Sequence, residues 1–191
     1  MKKNIVIASH NLGKVREMAF FLKKLNFNIL LAKNFNLKEP KENGKTFKSN
    51  ALIKARYVNR RTKKISIADD SGLVVPLLKG EPGIFSARWA GENKDFRIAM
   101  KKLQNKMYKK EMNAYYISAL AISWGKNKEK VFVGKIFGKI IWTPRGNLGF
   151  GYDPMFVPRS FDKTFGEIEN KIKNKISHRA IVFRKFISYM N

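Results

Sequence analysis

The sequence predicts an α/β fold, a mixed β-sheet flanked by helices, on three observations. The chain opens with an apolar run at residues 3–9, a helical stripe at 15–25 and a second apolar run at 27–32, and this β-α-β order is typical of α/β proteins. Two long strand patterns follow, and no repeat or linker interrupts the chain. With 191 residues, 44% of them hydrophobic, we expect one domain over residues 1–191, with two lobes around a groove.

Capping residues and periodicity predict the elements of the first half. Asn11 is expected to cap the first helix and Thr46 a second helix of about 17 residues. Two separate strands follow, ISIAD at 65–69 and GLVVPLL at 72–78, the latter broken at Pro76. The residues spaced for burial are Val15, Met18, Phe21, Leu22 and Leu25 in the first helix, and Phe47, Ala51, Ala55 and Val58 in the second.

The second half alternates in the same way. A loop at 81–91 precedes a helical pattern within residues 95–110. A hairpin around GKNKE is expected to join strands at 114–124 and 131–142. After a glycine-rich loop, the chain closes with a helix capped by Ser177.

The composition is strongly basic, with 40 Lys+Arg against 14 Asp+Glu and a formal net charge of +26. This balance is typical of proteins with polyanionic partners, but compositional drift gives the same result because the lysines are spread along the chain. No signal peptide pattern and no membrane-length apolar window of about 20 residues is seen. The absence of Cys and the presence of only two His argue against disulfides and zinc, and fit a cytoplasmic protein.

Two segments predict anion binding at the start of a helix. In SHNLGK, Ser9 and Asn11 add donors to the backbone N–H groups, and Lys14 adds a positive charge one turn later. In SHR, His178 and Arg179 follow the capping serine, with Lys173 just before. Each segment by itself is also explained by an ordinary helix cap with surface charge.

Adjacent carboxylates in the stretch IADDSGLVV are the most unusual feature of so basic a chain. Asp69 and Asp70 follow an apolar run, where unpaired carboxylates are costly to bury. Asp70 at a strand end suits a Mg²⁺ ligand, and Glu42 is the nearest separate acid along the chain. The alternative is that the pair forms a simple turn and cap.

Familiar phosphate-binding motifs do not account for these residues. GKT at residues 44–46 lacks the preceding glycine of a P-loop, since Glu39 occupies that position. The glycines of GNLGFGYDP do not match a dinucleotide fingerprint. They do allow the backbone to approach a ligand next to Phe150 and Tyr152, although an ordinary turn explains the glycines equally well.

Six segments in order resemble the conserved blocks of the inosine triphosphate pyrophosphatase family. They are SHNLGKVREM, ENGKTFKSNALIKA, ADDSGL, PGIFSARWAG, GFGYDP and NKISHR, and the resemblance extends from Lys3 to about Phe186. It implies an elongated mixed sheet with two lobes and a central substrate groove, usually in a homodimer. The implied reaction is Mg²⁺-dependent hydrolysis of ITP, dITP and XTP to the monophosphate and pyrophosphate, which cleanses the nucleotide pool.

The resemblance also implies roles for individual residues. Asp70 would be proton acceptor and metal ligand with Glu42 as second ligand, while Asp69 and Lys54 would assist catalysis. Lys41 replaces an acid that is common in the family, which puts the Glu42 contact in doubt. The residues that would bind substrate are Ser9, His10, Asn11, Leu12, Gly13, Lys14, Ser71, Phe150, Gly151, Tyr152, Asp153, Lys173, His178 and Arg179.

Two other functions are consistent with parts of the sequence. A basic nucleic-acid-binding protein would use the charge but leave Asp69 and Asp70 unexplained. A pyrophosphatase for modified pyrimidine nucleotides would share the chemistry, but NKISHR and GFGYDP favour purines. We therefore expect small-molecule purine triphosphates as partners, with no membrane and no specific nucleic acid.

Overall fold

The computed structural model describes residues 2–190, which form a six-stranded sheet with five α-helices. This confirms the predicted α/β class. The elements in chain order are β1 (Lys3–Ile7), α1 (Leu12–Leu22), β2 (Phe27–Leu31), α2 (Phe47–Thr62), β3 (Ile65–Val74), α3 (Phe96–Lys106), β4 (Glu111–Gly125), β5 (Lys128–Ile141), β6 (Phe156–Pro158), α4 (Asn170–Ile176) and α5 (His178–Met190).

The strand order in the sheet is β2-β1-β3-β4-β5-β6. Strand β1 pairs in parallel with both β2 and β3, whereas β5 and β6 are antiparallel. Strands β4 and β5 are neighbours joined through Lys126 and Asn127 only, which confirms the predicted hairpin. The sheet is therefore mixed. None of the helices within residues 2–190 is long and apolar enough to cross a membrane.

The chain folds as two compact units, each made of discontinuous segments. Unit 1 comprises residues 1–70, 118–134 and 182–191, and unit 2 comprises residues 71–117 and 135–181. Each unit has its own buried apolar cluster: α2 packs with β1 in unit 1, and α3 packs with β4 and β6 in unit 2. The chain passes from unit 1 to unit 2 between Asp70 and Ser71. That residues 1–191 work as one pyrophosphatase domain stays a prediction.

The predicted helix caps are confirmed. The Asn11 side chain accepts a hydrogen bond from the Lys14 N–H at 3.0 Å, and the Thr46 hydroxyl accepts one from the Ser49 N–H at 3.1 Å. Ser177 accepts from the Ala180 N–H at 3.2 Å. These caps satisfy backbone donors that have no partner within their own helix.

Three elements differ from the prediction. One is the short strand β6, which lies at the end of the segment expected to be a glycine-rich loop and pairs with β5. Residues 65–74 form the single strand β3, so the division into two strands with a turn at Ser71–Gly72 was wrong. Asp-Asp-Ser-Gly is typical of turns, but the strand continues here because both carboxylates meet lysines inside the fold. Helix α4 was missed because its buried face contains Lys173, a residue that hydrophobic periodicity does not count.

Candidate active site

In unit 1, Lys54 of α2 lies between two carboxylates. Its Nζ donates to Glu42 Oε1 at 2.6 Å and to Asp70 Oδ1 at 3.4 Å. Lys54 and Asp70 are each only 5% exposed. The contact is set by the fold because α2 and β3 carry these side chains, while Glu42 comes from the loop before α2. The structure thus brings together three of the predicted residues.

Burial and charge act in opposite directions on this group. Burial raises the pKa of Asp70, and the attraction of Lys54 and Lys14 offsets this only in part. For Lys54, burial lowers the pKa, but Asp70 and Glu42 together outweigh it and the net pKa is raised. Lys54 therefore stays protonated, while the Asp70 carboxylate is more basic than an ordinary aspartate.

The second carboxylate has different partners. Asp69 is fully buried; its Oδ2 lies 3.1 Å from Lys14 Nζ, and its Oδ1 accepts a hydrogen bond from the Ser118 hydroxyl at 2.5 Å. Lys14 belongs to α1 and Ser118 to β4. Asp69 is thus bonded within the protein and fixes the side chain of Lys14.

The predicted triphosphate segment forms the turn from β1 into α1. The Ser9 hydroxyl accepts from the Asn11 N–H at 3.2 Å, and the His10 N–H donates to Glu39 Oε1 at 3.0 Å. Leu12 is 63% exposed at the first position of α1. Gly13 follows on the same helix. The backbone here is held in the geometry of a helix start, which attracts anions.

The loop that carries Glu42 is held by a residue that was not predicted. Asn50 is fully buried on α2, and its Oδ1 accepts a hydrogen bond from the Gly44 N–H at 2.8 Å. A Cβ on Gly44 would collide with Ser49 Oγ and lie 2.5 Å from Asn50 Oδ1, so only glycine fits. In the sequence, the nearness of Asn50 to Glu42 was the only available signal.

Glu42 and Asp70 have the chemistry that a Mg²⁺ ion requires. Two carboxylates face the same cation, the ammonium of Lys54, and Asp70 Oδ2 is buried without a hydrogen-bond partner within residues 2–190. Mg²⁺ commonly takes one or two carboxylates together with water and phosphate oxygens. No cluster of three or more His, Cys, Asp or Glu residues suited to a metal occurs in that range. The residues fit an ion shared with a substrate.

In unit 2, two cations lie against the ring of Phe150. Lys173 Nζ is 4.9 Å and Arg179 Cζ 5.2 Å from the ring centroid, within cation–π range. Arg179 also donates to the Ser71 hydroxyl at 2.6 Å. Phe150 is partly exposed, whereas both cations are at least 98% buried. The ring is a partly accessible apolar surface held over fixed charges.

The loop of Phe150 is fixed by a buried ion pair. Asp153 Oδ2 accepts from Lys173 Nζ at 2.7 Å and from the Phe150 N–H at 2.7 Å. Gly149 and Gly151 adopt φ angles of +76° and +73°, and a Cβ on Gly149 would collide with the Asp153 carboxylate. The glycines of GFGYDP are therefore required by this turn.

His178 and Tyr152 are also buried in unit 2. The imidazole of His178 stacks on the Tyr116 ring, with centroids 4.8 Å apart and planes at 14°. The Tyr152 hydroxyl donates to the Ser86 carbonyl at 3.0 Å, which ties its side chain to the interior. Burial raises the pKa of both tyrosines well above the usual value, so they stay neutral. Tyr116 was not predicted, because a tyrosine in a strand pattern is ordinary.

Comparisons with known proteins agree with this arrangement. The Ham1 family model matches residues 5–189. The dITP/XTP pyrophosphatase of Zymomonas mobilis is 42% identical over 96% of this chain and 90% of its own length, and that of Caulobacter vibrioides is 45% identical over 97% and 96%. The Staphylococcus aureus Ham1 protein structure superposes with a TM-score of 0.88 at 35% identity, covering 98% of both chains. The chain belongs to the Ham1 family.

Proposed function

We propose that this protein hydrolyses non-standard purine nucleoside triphosphates (ITP, dITP and XTP) to the nucleoside monophosphate and pyrophosphate. The observation that carries the proposal is the pair of adjacent carboxylates on β3, each bound to a different lysine. Lysines and a basic carboxylate in one buried group suit the attack of water on a phosphoric anhydride. The names of the Zymomonas and Caulobacter relatives support the same reaction.

Asp70 serves as the general base. It removes a proton from a water molecule that attacks the α-phosphorus, the bond from the α-phosphorus to the bridging oxygen breaks, and pyrophosphate leaves. The raised pKa of Asp70 favours proton acceptance. Lys14 and Lys54 offset negative charge on the departing pyrophosphate.

Mg²⁺ is the proposed cofactor, with Asp70 and Glu42 as its protein ligands. When bound, such an ion polarises phosphoryl oxygens. Lys54 keeps the two carboxylates near one another and limits their repulsion. In the turn from β1 into α1, the N–H groups of Leu12 and Gly13 donate to the phosphates, since those of His10, Asn11 and Lys14 are bonded within the protein.

The base end of the substrate is assigned to residues of unit 2. Phe150 stacks on the purine, and His178 and Arg179 donate to the 6-oxo group of hypoxanthine or xanthine. Adenine carries an amino donor at that position, and a site built to donate rejects such a mismatch by as much as ~10⁴-fold. Asp153 and Lys173 act through the position of Phe150, because the Asp153 carboxylate accepts from both the Phe150 N–H and Lys173, and Tyr152 supports the same loop through its bond to Ser86.

A substrate panel tests the proposal. Purified protein with Mg²⁺ receives ITP, dITP, XTP, ATP and GTP, and pyrophosphate and orthophosphate are measured separately. We expect pyrophosphate from the first three and little from ATP or GTP. Orthophosphate as the first product would place the cut at the γ-phosphate and overturn the mechanism. The homodimer and the cytoplasmic location stay predictions.

A further inference from the structure

One exposed surface of unit 2 combines basic and aromatic side chains outside the candidate active site. We call it the α3 face. Its exposed members are Arg97, Ile98, Lys101, Lys102 and Lys106, and its partly buried members, which pack against the core of unit 2, are Trp89 and Trp142.

The α3 face lies in the most basic part of unit 2. Residues 88–110 contain eight Lys or Arg and two acids, Glu92 and Asp95, a net charge of +6 over 23 residues. Asp95 forms an ion pair with Arg97, with Asp95 Oδ2 2.8 Å from Arg97 Nη2. Within residues 2–190, neither Lys101 nor Lys102 has a carboxylate partner. These two lysines keep their charge available to an external anion.

The lysines lie against tryptophan rings. Lys102 Nζ is 4.6 Å and Lys106 Nζ 5.8 Å from the Trp89 ring, and Lys101 Nζ is 5.7 Å from the Trp142 ring. Ile98, which also lies on α3, is 58% exposed. Alternating cations and flat rings are the groups that contact phosphates and stacked bases in single-stranded nucleic acids.

The surface along α3 is open and shallow. An open groove of about 720 Å³ follows α3 and is lined by Asp95, Arg97, Ile98, Lys101, Lys102, Asn105 and Lys106. A shallow, open groove suits an extended chain better than an enclosed small ligand. A membrane surface would call for several protruding apolar side chains, and Ile98 is the single strongly exposed one lining this groove.

We propose that the α3 face binds single-stranded nucleic acid without sequence preference. The phosphates contact Lys101 and Lys102, and bases stack beside the partly exposed rings of Trp89 and Trp142. Lys106 is paired with Glu81 at 2.7 Å and is not counted among the phosphate contacts. Because each neutralised phosphate releases a counterion, log affinity falls with log salt by about 0.7 per contact for a single strand. Two lysine contacts therefore contribute a slope of about 1.4.

The test compares two charge-matched variants of the full chain. Fluorescence anisotropy of a labelled 20-mer of thymidylate measures binding at several salt concentrations. K101E/K102E alters the α3 face, and K23E/K24E alters two consecutive lysines of unit 1 that are also exposed. We expect K101E/K102E to lose about tenfold or more in affinity and to lower the salt slope, with K23E/K24E near wild type. ITP hydrolysis and thermal unfolding check that both variants are folded.

Three results would overturn the proposal: no binding of the oligonucleotide at 50 mM salt, equal loss in both variants, or binding only to phosphatidylserine vesicles. Equal loss would assign the binding to net charge, and vesicle binding would assign the face to a membrane. If charge reversal unfolds the chain, K101Q/K102Q with K23Q/K24Q repeats the comparison. Because the readout is polymer binding, its outcome is independent of whether ITP is the substrate.

Discussion

At the scale of single residues, the two adjacent aspartates have different partners because side chains alternate between the two faces of a strand. Successive residues of β3 point to opposite faces of the sheet. Asp69 therefore meets Lys14 of α1, and Asp70 meets Lys54 of α2. Asp69 is fully bonded within the protein, whereas Asp70 keeps one buried oxygen without a partner within residues 2–190. This asymmetry supports the proposed role of Asp70 as general base.

The substitution Asp70→Asn is expected to reduce ITP hydrolysis at least ~10²-fold while leaving stability at pH 7 unchanged or higher. The pKa of Asp70 is raised on folding, so the folded state prefers the protonated form. Below the unfolded-state pKa of about 3.9, Asp70 is protonated in both states and its charge does not lower the free energy of unfolding. Above the raised folded-state pKa it is charged in both states, and burial of the charge lowers the free energy of unfolding by the full amount. Asparagine removes that cost. Pyrophosphate release and thermal unfolding in EDTA, at pH 7 and near pH 4, measure both effects.

Asp69→Asn is the matched control. It removes the charge that pairs with the partly buried Lys14, so we expect a loss of about 1–3 kcal/mol in the free energy of unfolding. If both variants lose stability equally at pH 7, Asp70 is a structural ion-pair partner like Asp69, and the division of roles is wrong.

A second residue-scale prediction concerns the buried pair in unit 2. Lys173→Met leaves the Asp153 carboxylate buried without its ammonium partner, and breaking such a pair costs about 3–5 kcal/mol. We expect this loss in chemical denaturation, together with a higher KM for ITP because Phe150 is no longer fixed. The control is Lys175→Met, a lysine two residues later that is exposed. Equal stability of the two variants would show that the Asp153 contact does not hold the loop.

At the scale of elements, the loop into α2 decides where Glu42 lies. The Gly44 N–H is bonded to Asn50, and Thr46 and Ser49 cap the helix reciprocally. This anchors the loop at one helix start, only two residues after Glu42. Helix α2 thus supplies both Lys54 and the support for its partner.

In Gly44→Ala the new Cβ would collide with Ser49 and Asn50, so the loop that carries Glu42 must shift. We therefore expect a higher Mg²⁺ concentration for half-maximal activity and a turnover about tenfold lower or more. Lys45→Ala, an exposed neighbour, is the control and should remain near wild type. A Mg²⁺ titration of ITP hydrolysis measures the effect. An unchanged titration would mean that Glu42 is not a ligand.

At the scale of the whole molecule, the charge of +26 opposes folding through self-repulsion. Within residues 2–190, surface ion pairs such as Arg56–Glu129 and Lys139–Glu111 offset only part of this repulsion. Such pairs contribute little, about 0–1 kcal/mol each.

Added salt should consequently stabilise this protein. We expect Tm to rise by a few degrees, about 3–5 °C, between 20 and 300 mM chloride, because screening acts more strongly on the net repulsion than on the few pairs. Differential scanning fluorimetry with NaCl and KCl measures this, and agreement between the two salts controls for specific ion binding. A Tm that falls with chloride would show that attractive pairs dominate the surface.

Much of the architecture follows from local sequence. The opening β-α-β order, the caps Asn11, Thr46 and Ser177 and the hairpin all depend on residues close together in the chain, and each is confirmed. The division of β3 was wrong because local turn preference was overridden by contacts with lysines from two distant helices.

Local patterns specify the α/β class and the helix starts, because periodicity and capping are short-range effects, and the residue order alone identifies the charged residues available for chemistry. Contacts between distant segments specify which lysine meets which aspartate, that Asn50 holds the loop of Glu42, and that the side chains of Tyr152 and Asp153 are buried. These contacts join residues far apart in sequence. Their geometry depends on strand face and helix packing, which no local pattern specifies.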